Sequence, residues 1–205
     1  MRPIAPAALI LCAAFALPTT AQEASFFLTS QGPGDGGNLG GLAGADAHCN
    51  ALANAAGLPG DDWVAYLSAG GTDARDRIGA GPWHNVAGAL IAEDADDLHD
   101  GDNGLGKDGS LSEKGEPIAG RGDSPNRHDI LTGSDLEGRL MAGLTCEDWT
   151  SASDDGPRAQ VGHHDLTGGG QNPTSFNSAH ASRGCSQEAL RGTGGDGLFY
   201  CLRPN

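Results

Sequence analysis

The sequence has few basic residues and few aromatic ones. Its 205 residues include 12 Lys and Arg against 27 Asp and Glu, for a formal net charge of −15, and aromatic residues make up 5 %. A chain this acidic repels phosphate backbones and anionic lipid surfaces, so we expect no nucleic-acid partner and no membrane partner. The small aromatic share and the 34 glycines predict one loop-rich domain with a lean core.

Long hydrophobic runs are missing beyond the N-terminus. The apolar stretch 4–17 follows Arg2 and precedes small residues at 19–21. This pattern is typical of a signal peptide, and the run is too short for a membrane-spanning helix. We therefore predict cleavage after Ala21, a mature chain of 22–205, and export to the periplasm or the extracellular space.

Cysteine pairs of the C-x-x-C type are also missing, which leaves zinc ribbons and thioredoxin-like redox chemistry without support. The predicted mature chain has four cysteines, Cys49, Cys146, Cys185 and Cys201. An even number in an exported protein predicts two disulfides, and four cysteines allow three pairings.

Apolar periodicity predicts a small set of helices and strands. The clearest is a helix from Leu42 to Ala56, with Cys49 on its apolar face, ended by Gly57 and Pro59. A helical turn is predicted at 73–78, and strands are predicted at 26–30, 63–67, 86–92 and 198–203. Residues 93–129 are rich in Asp and Gly and predict a long loop, and loops of this length are usually functional or disordered.

Several motifs, taken in order, resemble a known family. Cys49 is followed by WVAYLS at 63–68, GSDLEGRL at 133–140, TCEDWTS at 145–151, Cys185 and LFYCL at 198–202. This succession resembles the endostatin domain of collagens and, more broadly, the C-type lectin-like fold. The resemblance implies a single α+β domain over 22–205 with two nested disulfides, Cys49–Cys201 and Cys146–Cys185.

The resemblance does not extend to the ligands of those families. Endostatin-like domains bind heparin through arginine clusters and zinc through N-terminal histidines. Acids dominate here, and the predicted mature chain begins Gln22-Glu23-Ala24, so neither ligand is implied. Sugar-binding C-type lectins carry Glu-Pro-Asn or Gln-Pro-Asp before the second cysteine and Trp-Asn-Asp before the third. Neither motif occurs here, so the usual calcium-bridged sugar site is not implied either.

The acidic segment within 93–129 is a candidate for structural calcium. Calcium takes six to eight oxygen ligands, and an acidic, Gly-rich loop can supply them. The EF-hand spacing fails because its twelfth position is Leu111. The alternative is a solvated acidic loop that keeps the protein soluble. The candidate ligands are Asp96, Asp97, Asp100, Asp102 and Asn103.

Residues 120–125 read GRGDSP, the hexapeptide of integrin-binding loops. Its Gly, Asp, Ser and Pro residues predict an exposed turn. In a chain this rich in Gly and Asp the tripeptide also arises by chance. We therefore do not expect integrin binding through Arg121-Gly122-Asp123.

His163, His164 and Asp165 form the most conspicuous group for metal or acid–base chemistry. Adjacent side chains on an extended segment point to opposite faces, so His163 and His164 would not chelate one ion together. The remaining histidines show no H-E-x-x-H spacing. We interpret all of these histidines as surface or hydrogen-bonded structural residues.

Nucleophile motifs such as G-x-S-x-G are missing, and the cysteines are predicted to be bridged. We therefore predict a lectin-like binding module that is not an enzyme and that recognises a glycan or a surface or matrix component. One alternative is an adhesive or structural cell-envelope protein with a protein partner. Another is a polysaccharide hydrolase with a carboxylate pair, although abundant acids make such a pair unspecific.

A bound glycan would use stacking on aromatic rings and hydrogen bonds from side chains in the long loops. Trp149 lies beside Cys146 and is predicted to pack in the core. Trp83 follows Gly81-Pro82 and is predicted to be exposed. The candidate ligand-binding residues are Trp83, Asp135, Glu137, Gln171, Asn172 and Asn177.

Overall fold

The computed structural model describes residues 23–205, so the predicted signal peptide and its cleavage site lie outside the described residues. The described chain is a mixed α/β structure in which short elements are joined by loops. In order, its elements are β1 (Phe26–Leu28), α1 (Gly41–Ala56), β2 (Val64–Ala65), α2 (Ala74–Arg77), β3 (Trp83–His84), β4 (Leu90–Ala92), α3 (Ala95–Asp100), β5 (Asp129–Leu131), α4 (Cys146–Trp149), β6 (Gln160–His163), β7 (His180–Ala181), α5 (Gln187–Arg191) and β8 (Tyr200–Leu202).

The strands form three small antiparallel sheets. β8 lies between β1 and β2, β3 pairs with β4, and β6 lies between β5 and β7. The C-terminal strand is therefore central to its sheet, and it brings the two ends of the described chain together. Within residues 23–205, no helix has the length and apolar character needed to cross a membrane.

Helix α1 confirms the predicted helix. Its buried face consists of Ala45, Cys49, Leu52 and Ala53, which follow one another at steps of one, three or four residues. Gly57 ends it with φ 73°, a left-handed conformation that glycine adopts without the steric cost of a Cβ. The amphipathic pattern and the terminal glycine together account for the helix.

Both disulfides join the residues that the resemblance implied. Cys49 on α1 bonds to Cys201 on β8, and Cys146 bonds to Cys185. The first bridge ties the helix to the central strand. Both cysteines of the second bridge lie between Cys49 and Cys201 in the sequence. All four cysteines are fully buried, in one hydrophobic cluster with Trp149. The prediction that Trp149 packs in the core is confirmed.

The prediction that Trp83 is exposed is wrong. Its side chain is fully buried, because β3 pairs Trp83 with Ala92 and turns the ring into a cluster that includes Ile78 and Ile91. The indole N–H donates a 3.2 Å hydrogen bond to the Arg203 carbonyl. With this polar atom satisfied, the indole is a core residue and cannot line a binding surface.

The region 84–129 also differs from its prediction. β4 covers only Leu90–Ala92, because the Asn85 side chain accepts hydrogen bonds from the N–H groups of Ala87 and Ala89 and holds the preceding residues in a turn. The predicted loop 93–129 contains helix α3. Asp94 caps that helix, since its carboxylate accepts from two backbone N–H groups of the first turn. The remaining predicted elements are present but shorter than predicted.

Candidate functional site

A polar cleft forms where three loops meet, and we call it the amide cleft. Its volume is about 380 Å³. One wall comes from α3 and the residues after it, a second from the turn after β5, and the third from the loop between β6 and β7. The lining residues are His99, Gly101, Asn103, Leu136, Leu166 and residues 171–177.

The amide cleft brings together residues that were predicted to serve different sites. Gln171, Asn172 and Asn177, predicted ligand-binding residues, line it together with Asn103, a predicted calcium ligand. Two other predicted ligand-binding residues lie on the adjoining turn. The Asp135 carboxylate accepts hydrogen bonds from the backbone N–H groups of Glu137 and Arg139, and the Glu137 side chain is exposed.

Asn177 holds two walls of the amide cleft together. Its buried side-chain amide donates to the carbonyls of Asp135 and Leu136, at 2.8 and 3.2 Å, and to the Tyr66 hydroxyl at 3.1 Å. Its carboxamide oxygen accepts from the Ser175 hydroxyl. Both ends of this amide are therefore used within the protein, so Asn177 shapes the cleft rather than offering free donors to a ligand.

We predict that Asn177→Ala lowers the free energy of unfolding by about 2 kcal/mol, because it removes a buried amide that bonds to two carbonyls and to the buried Tyr66 hydroxyl. The measurement is urea denaturation of the oxidised protein. Gln171→Ala, at an exposed position of the same cleft, is the control and is expected to change stability by less than about 0.5 kcal/mol. Equal effects of the two substitutions would contradict the role given to Asn177.

His99 forms part of the cleft wall as a neutral ring. Its Nδ1 lies 2.5 Å from the Ala95 carbonyl and its Nε2 lies 2.6 Å from the Tyr66 hydroxyl. The carbonyl can only accept, so Nδ1 carries the proton and Nε2 accepts from the hydroxyl. Burial lowers the pKa of His99 and raises the pKa of Tyr66. The hydrogen bonds of both side chains are made within the protein, and both side chains are uncharged. The two residues therefore form part of the cleft wall and not an acid–base pair.

The acidic side chains proposed for calcium are engaged separately. Asp96 forms a 2.6 Å ion pair with Arg75, Asp97 accepts from the Glu93 N–H, and Asp100 accepts from the Asp102 N–H. Asn103 bonds to backbone groups through both ends of its amide. In the described chain, these acids do not form a group of three with ligand atoms within 4.8 Å of one another. Calcium binding there stays a prediction.

A second site lies at the sheet β5-β6-β7, and we call it the histidine cluster: His128, Asp129, His163 and His180. The Asp129 Oδ1 atom lies 3.1 Å from His128 Nε2, 3.4 Å from His163 Nε2 and 3.5 Å from His180 Nε2. His128, Asp129 and His163 are buried, and His180 is half-buried. The rings of His128 and His163 stack with centroids 4.2 Å apart.

Strand pairing assembles the histidine cluster from distant parts of the chain. Asp129 on β5 lies opposite His163 on β6, and β7 places His180 beside β6. His164 faces away and approaches the Ala119 carbonyl, so alternation along the strand does separate it from His163. Burial lowers the pKa of His164. The sequence analysis missed the cluster because it depends on register between strands more than 30 residues apart.

Each imidazole of the cluster has an acceptor behind it. His163 Nδ1 lies 2.8 Å from the Pro173 carbonyl, and His180 Nδ1 lies 3.1 Å from the Ala181 carbonyl. His128 Nδ1 lies 3.5 Å from Asp165 Oδ1. The two carbonyls favour a proton on Nδ1 of His163 and of His180, and the Nε2 atoms of both rings face Asp129.

The two carboxylates of this region are held ionised. Burial raises the pKa of Asp129, but the adjoining His163 and His180 rings outweigh burial, so its pKa lies below the ordinary value. Burial also raises the pKa of Asp165. The neighbouring His128 and the Arg121 N–H, which donates to Asp165 Oδ2 at 2.6 Å, outweigh burial, so the pKa of Asp165 is lowered. Negative charge therefore persists beneath the histidine rings.

Glycines let the backbone approach these rings closely. A Cβ at Gly168, whose φ is 146°, would lie 2.5 Å from His163 Cε1 and 3.1 Å from His128 Cε1. A Cβ at Gly194, with φ 112°, would lie 2.9 Å from His128 Cδ2. Larger residues at either position would displace the rings, so the glycines fix where the imidazoles point.

The tripeptide 121–123 is tied into the same region. The Asp123 carboxylate forms a 2.5 Å ion pair with Lys107 and accepts from the Gly120 N–H, and these contacts lower its pKa. The Arg121 side chain lines an open cleft of about 510 Å³ that also reaches His128, His163 and His180. The expected exposed turn is present, with its acid engaged by Lys107.

Comparison with known proteins adds no relative. No protein-family model matches the chain, and no curated protein sequence matches it. The structure shows a mixed α/β chain with two disulfides.

Proposed function

We propose that the protein is an exported, non-enzymatic binding module of C-type lectin-like fold that takes a neutral glycan in the amide cleft. Export is supported by the two buried disulfides, because such bonds persist in oxidising compartments. Recognition of a glycan is supported by the chemistry of the cleft. Its ordered walls, held by Asn177, offer a preformed site.

The observation that carries the proposal is the mixture of apolar and amide groups at the cleft mouth. Leu136 is 43 % exposed, an unusual exposure for leucine in this structure. Gln171 and Thr174 line the same cleft and are exposed. A sugar ring has an apolar face and a hydroxyl edge, so it can contact leucine and receive hydrogen bonds from the amide and hydroxyl together.

The buried tryptophans change how the sugar would be held. Trp63, Trp83 and Trp149 are all fully buried, so the expected stacking on Trp83 is replaced by contact with Leu136 and with the edge of Phe176, which is 6 % exposed. The net charge of −15 disfavours sulfated or carboxylated glycans. Neutral sugars fit the cleft best.

A glycan-array screen of the exported, oxidised protein tests the proposal. Leu136→Asp places a charge against the apolar face of the sugar and is expected to weaken binding about tenfold or more. Leu90→Asp is the matched control, because Leu90 is 42 % exposed and does not line the amide cleft. Binding that both variants retain, or that both lose equally, would refute this assignment of the site.

The array also separates the proposal from a protein-binding function. An adhesive protein would leave every glycan unbound, and free sugar would not displace its partner. Silence across neutral and charged glycans alike would therefore overturn the glycan proposal.

A further inference from the structure

We propose that His128, Asp129, His163 and His180 bind a divalent transition-metal ion of the zinc class. The proposal is independent of the amide cleft and of its ligand. It rests on the direction of the side chains, on their unsatisfied atoms and on the distances between them.

The first observation is a group of acceptors that face one another in the protein interior. Both carboxylate oxygens of Asp129 and the Nε2 atom of His163 are buried and have no hydrogen-bond partner among the described residues. An unpaired buried carboxylate is strongly disfavoured. A cation placed among these atoms would satisfy all of them at once.

The second observation is the set of tautomers. The carbonyls of Pro173 and Ala181 accept from Nδ1 of His163 and His180, and Asp165 faces Nδ1 of His128. With the protons on Nδ1, the Nε2 atoms of His163 and His180 face the Asp129 carboxylate at 3.4 and 3.5 Å. Histidines that bind metal ions commonly have this arrangement, with a carbonyl or carboxylate behind each ring.

The third observation is the spacing. Zinc bonds to nitrogen and oxygen at about 2.0–2.2 Å, so two ligand atoms of a tetrahedral shell lie about 3.3–3.6 Å apart. The three separations from Asp129 Oδ1 to the imidazole nitrogens are 3.1, 3.4 and 3.5 Å. The ligand atoms of His128, Asp129 and His163 all lie within 4.8 Å of one another, and His180 Nε2 approaches this group through Asp129 Oδ1.

The donor types select the metal. Three imidazoles and one carboxylate suit zinc and its neighbours Co²⁺, Ni²⁺ and Cu²⁺, whereas calcium and magnesium prefer shells of oxygen alone. The four proposed ligands also differ from the zinc ligands of endostatin-like domains, because all four lie within 128–180 and none lies at the N-terminus.

An ion can reach the site from solvent. His128, His163 and His180 line an open cleft together with Arg121, Arg183 and Thr193, and the half-buried His180 lies nearest to solvent among the three rings. His128 and His163 stack at an interplanar angle of 12°, so one ion cannot lie in both ring planes at once. Binding should therefore rotate one of these rings, which would shift its NMR resonances.

The test is metal binding by the exported, oxidised protein without an affinity tag. After dialysis against a chelator, titration with ZnCl₂ at pH 7 is expected to show one equivalent bound and a rise in the thermal midpoint. Titration with Co²⁺ is expected to give the strong visible absorption of tetrahedral cobalt. His180→Ala, at a half-buried position, and His163→Gln should each weaken binding about tenfold or more.

His48→Ala is the control, because His48 lies on α1 and its Nε2 contacts the Gln31 carbonyl. This variant should bind like the native protein. Two results would overturn the proposal: no binding by the native protein, which would mean that a proton on one imidazole balances Asp129, or binding that persists unchanged in both cluster variants. The thermal midpoint of each metal-free variant shows whether it is folded.

Discussion

Replacing Cys49 and Cys201 together by alanine is expected to lower the free energy of unfolding by about 5 kcal/mol. The bridge closes a loop of 152 residues, nearly the whole described chain. A cross-link over so long a loop removes many conformations from the unfolded chain, and glycine-rich segments have the most conformations to lose. The same bond ties helix α1 to the central strand β8, so its loss also loosens the main hydrophobic cluster.

The second disulfide provides the matched comparison. Cys146 and Cys185 are separated by 39 residues, for which the same entropy argument predicts about 4 kcal/mol. Urea denaturation without reductant, followed by tryptophan fluorescence, measures both double variants. The long-loop variant should be the less stable of the two. The reverse order, or no loss in either variant, would contradict this account of the stability.

Trp83→Ala is expected to lower the free energy of unfolding by about 3–5 kcal/mol, because it removes a fully buried indole and leaves a cavity between the β3–β4 hairpin and the core. It also leaves the Arg203 carbonyl without its indole partner. Thermal or urea denaturation of the variant measures the effect. If Trp83 lay on the surface, its replacement by alanine would leave the free energy of unfolding almost unchanged.

Leu90→Ala is the control for this experiment, since Leu90 lies on the same hairpin and is 42 % exposed. We expect it to change stability by no more than about 0.5 kcal/mol. Trp83→Ala with native stability and weakened ligand binding would restore the sequence-based prediction and show that the hairpin is packed differently.

Local patterns in the sequence were sufficient for the elements that depend on local physics. Helix α1 follows from apolar steps of three and four residues and from Gly57, which ends it. The positions of β1, β2, β4 and β8 follow from short apolar runs, although the length of β4 was overestimated because the Asn85 side chain binds the backbone before it. The strands β3, β5, β6 and β7 were not predicted. The disulfide pairing required the resemblance, because four cysteines alone leave three possibilities.

The sites depend on contacts that no local pattern records. Asp129 and His163 meet through the register of β5 on β6, and His180 joins them from the next strand. Gln171 and Asn172 were identified by residue type alone, and only the folded loops show that they share a cleft with Asn103 and Leu136. The prediction that Trp83 is exposed was wrong because the preceding Gly81-Pro82 pair does not determine which face of the next strand carries the indole ring.

The most direct test of the proposed function is an NMR titration of the ¹⁵N-labelled protein with the neutral glycan that binds best on the array. We predict that the resonances that shift belong to the side-chain amides of Gln171 and Asn172 and to backbone amides at 136 and 171–177, with one binding constant for all of them. The buried indole N–H of Trp83 should not move. Shifts confined to other surfaces, or none at saturating glycan, would contradict the assignment of the amide cleft as the binding site.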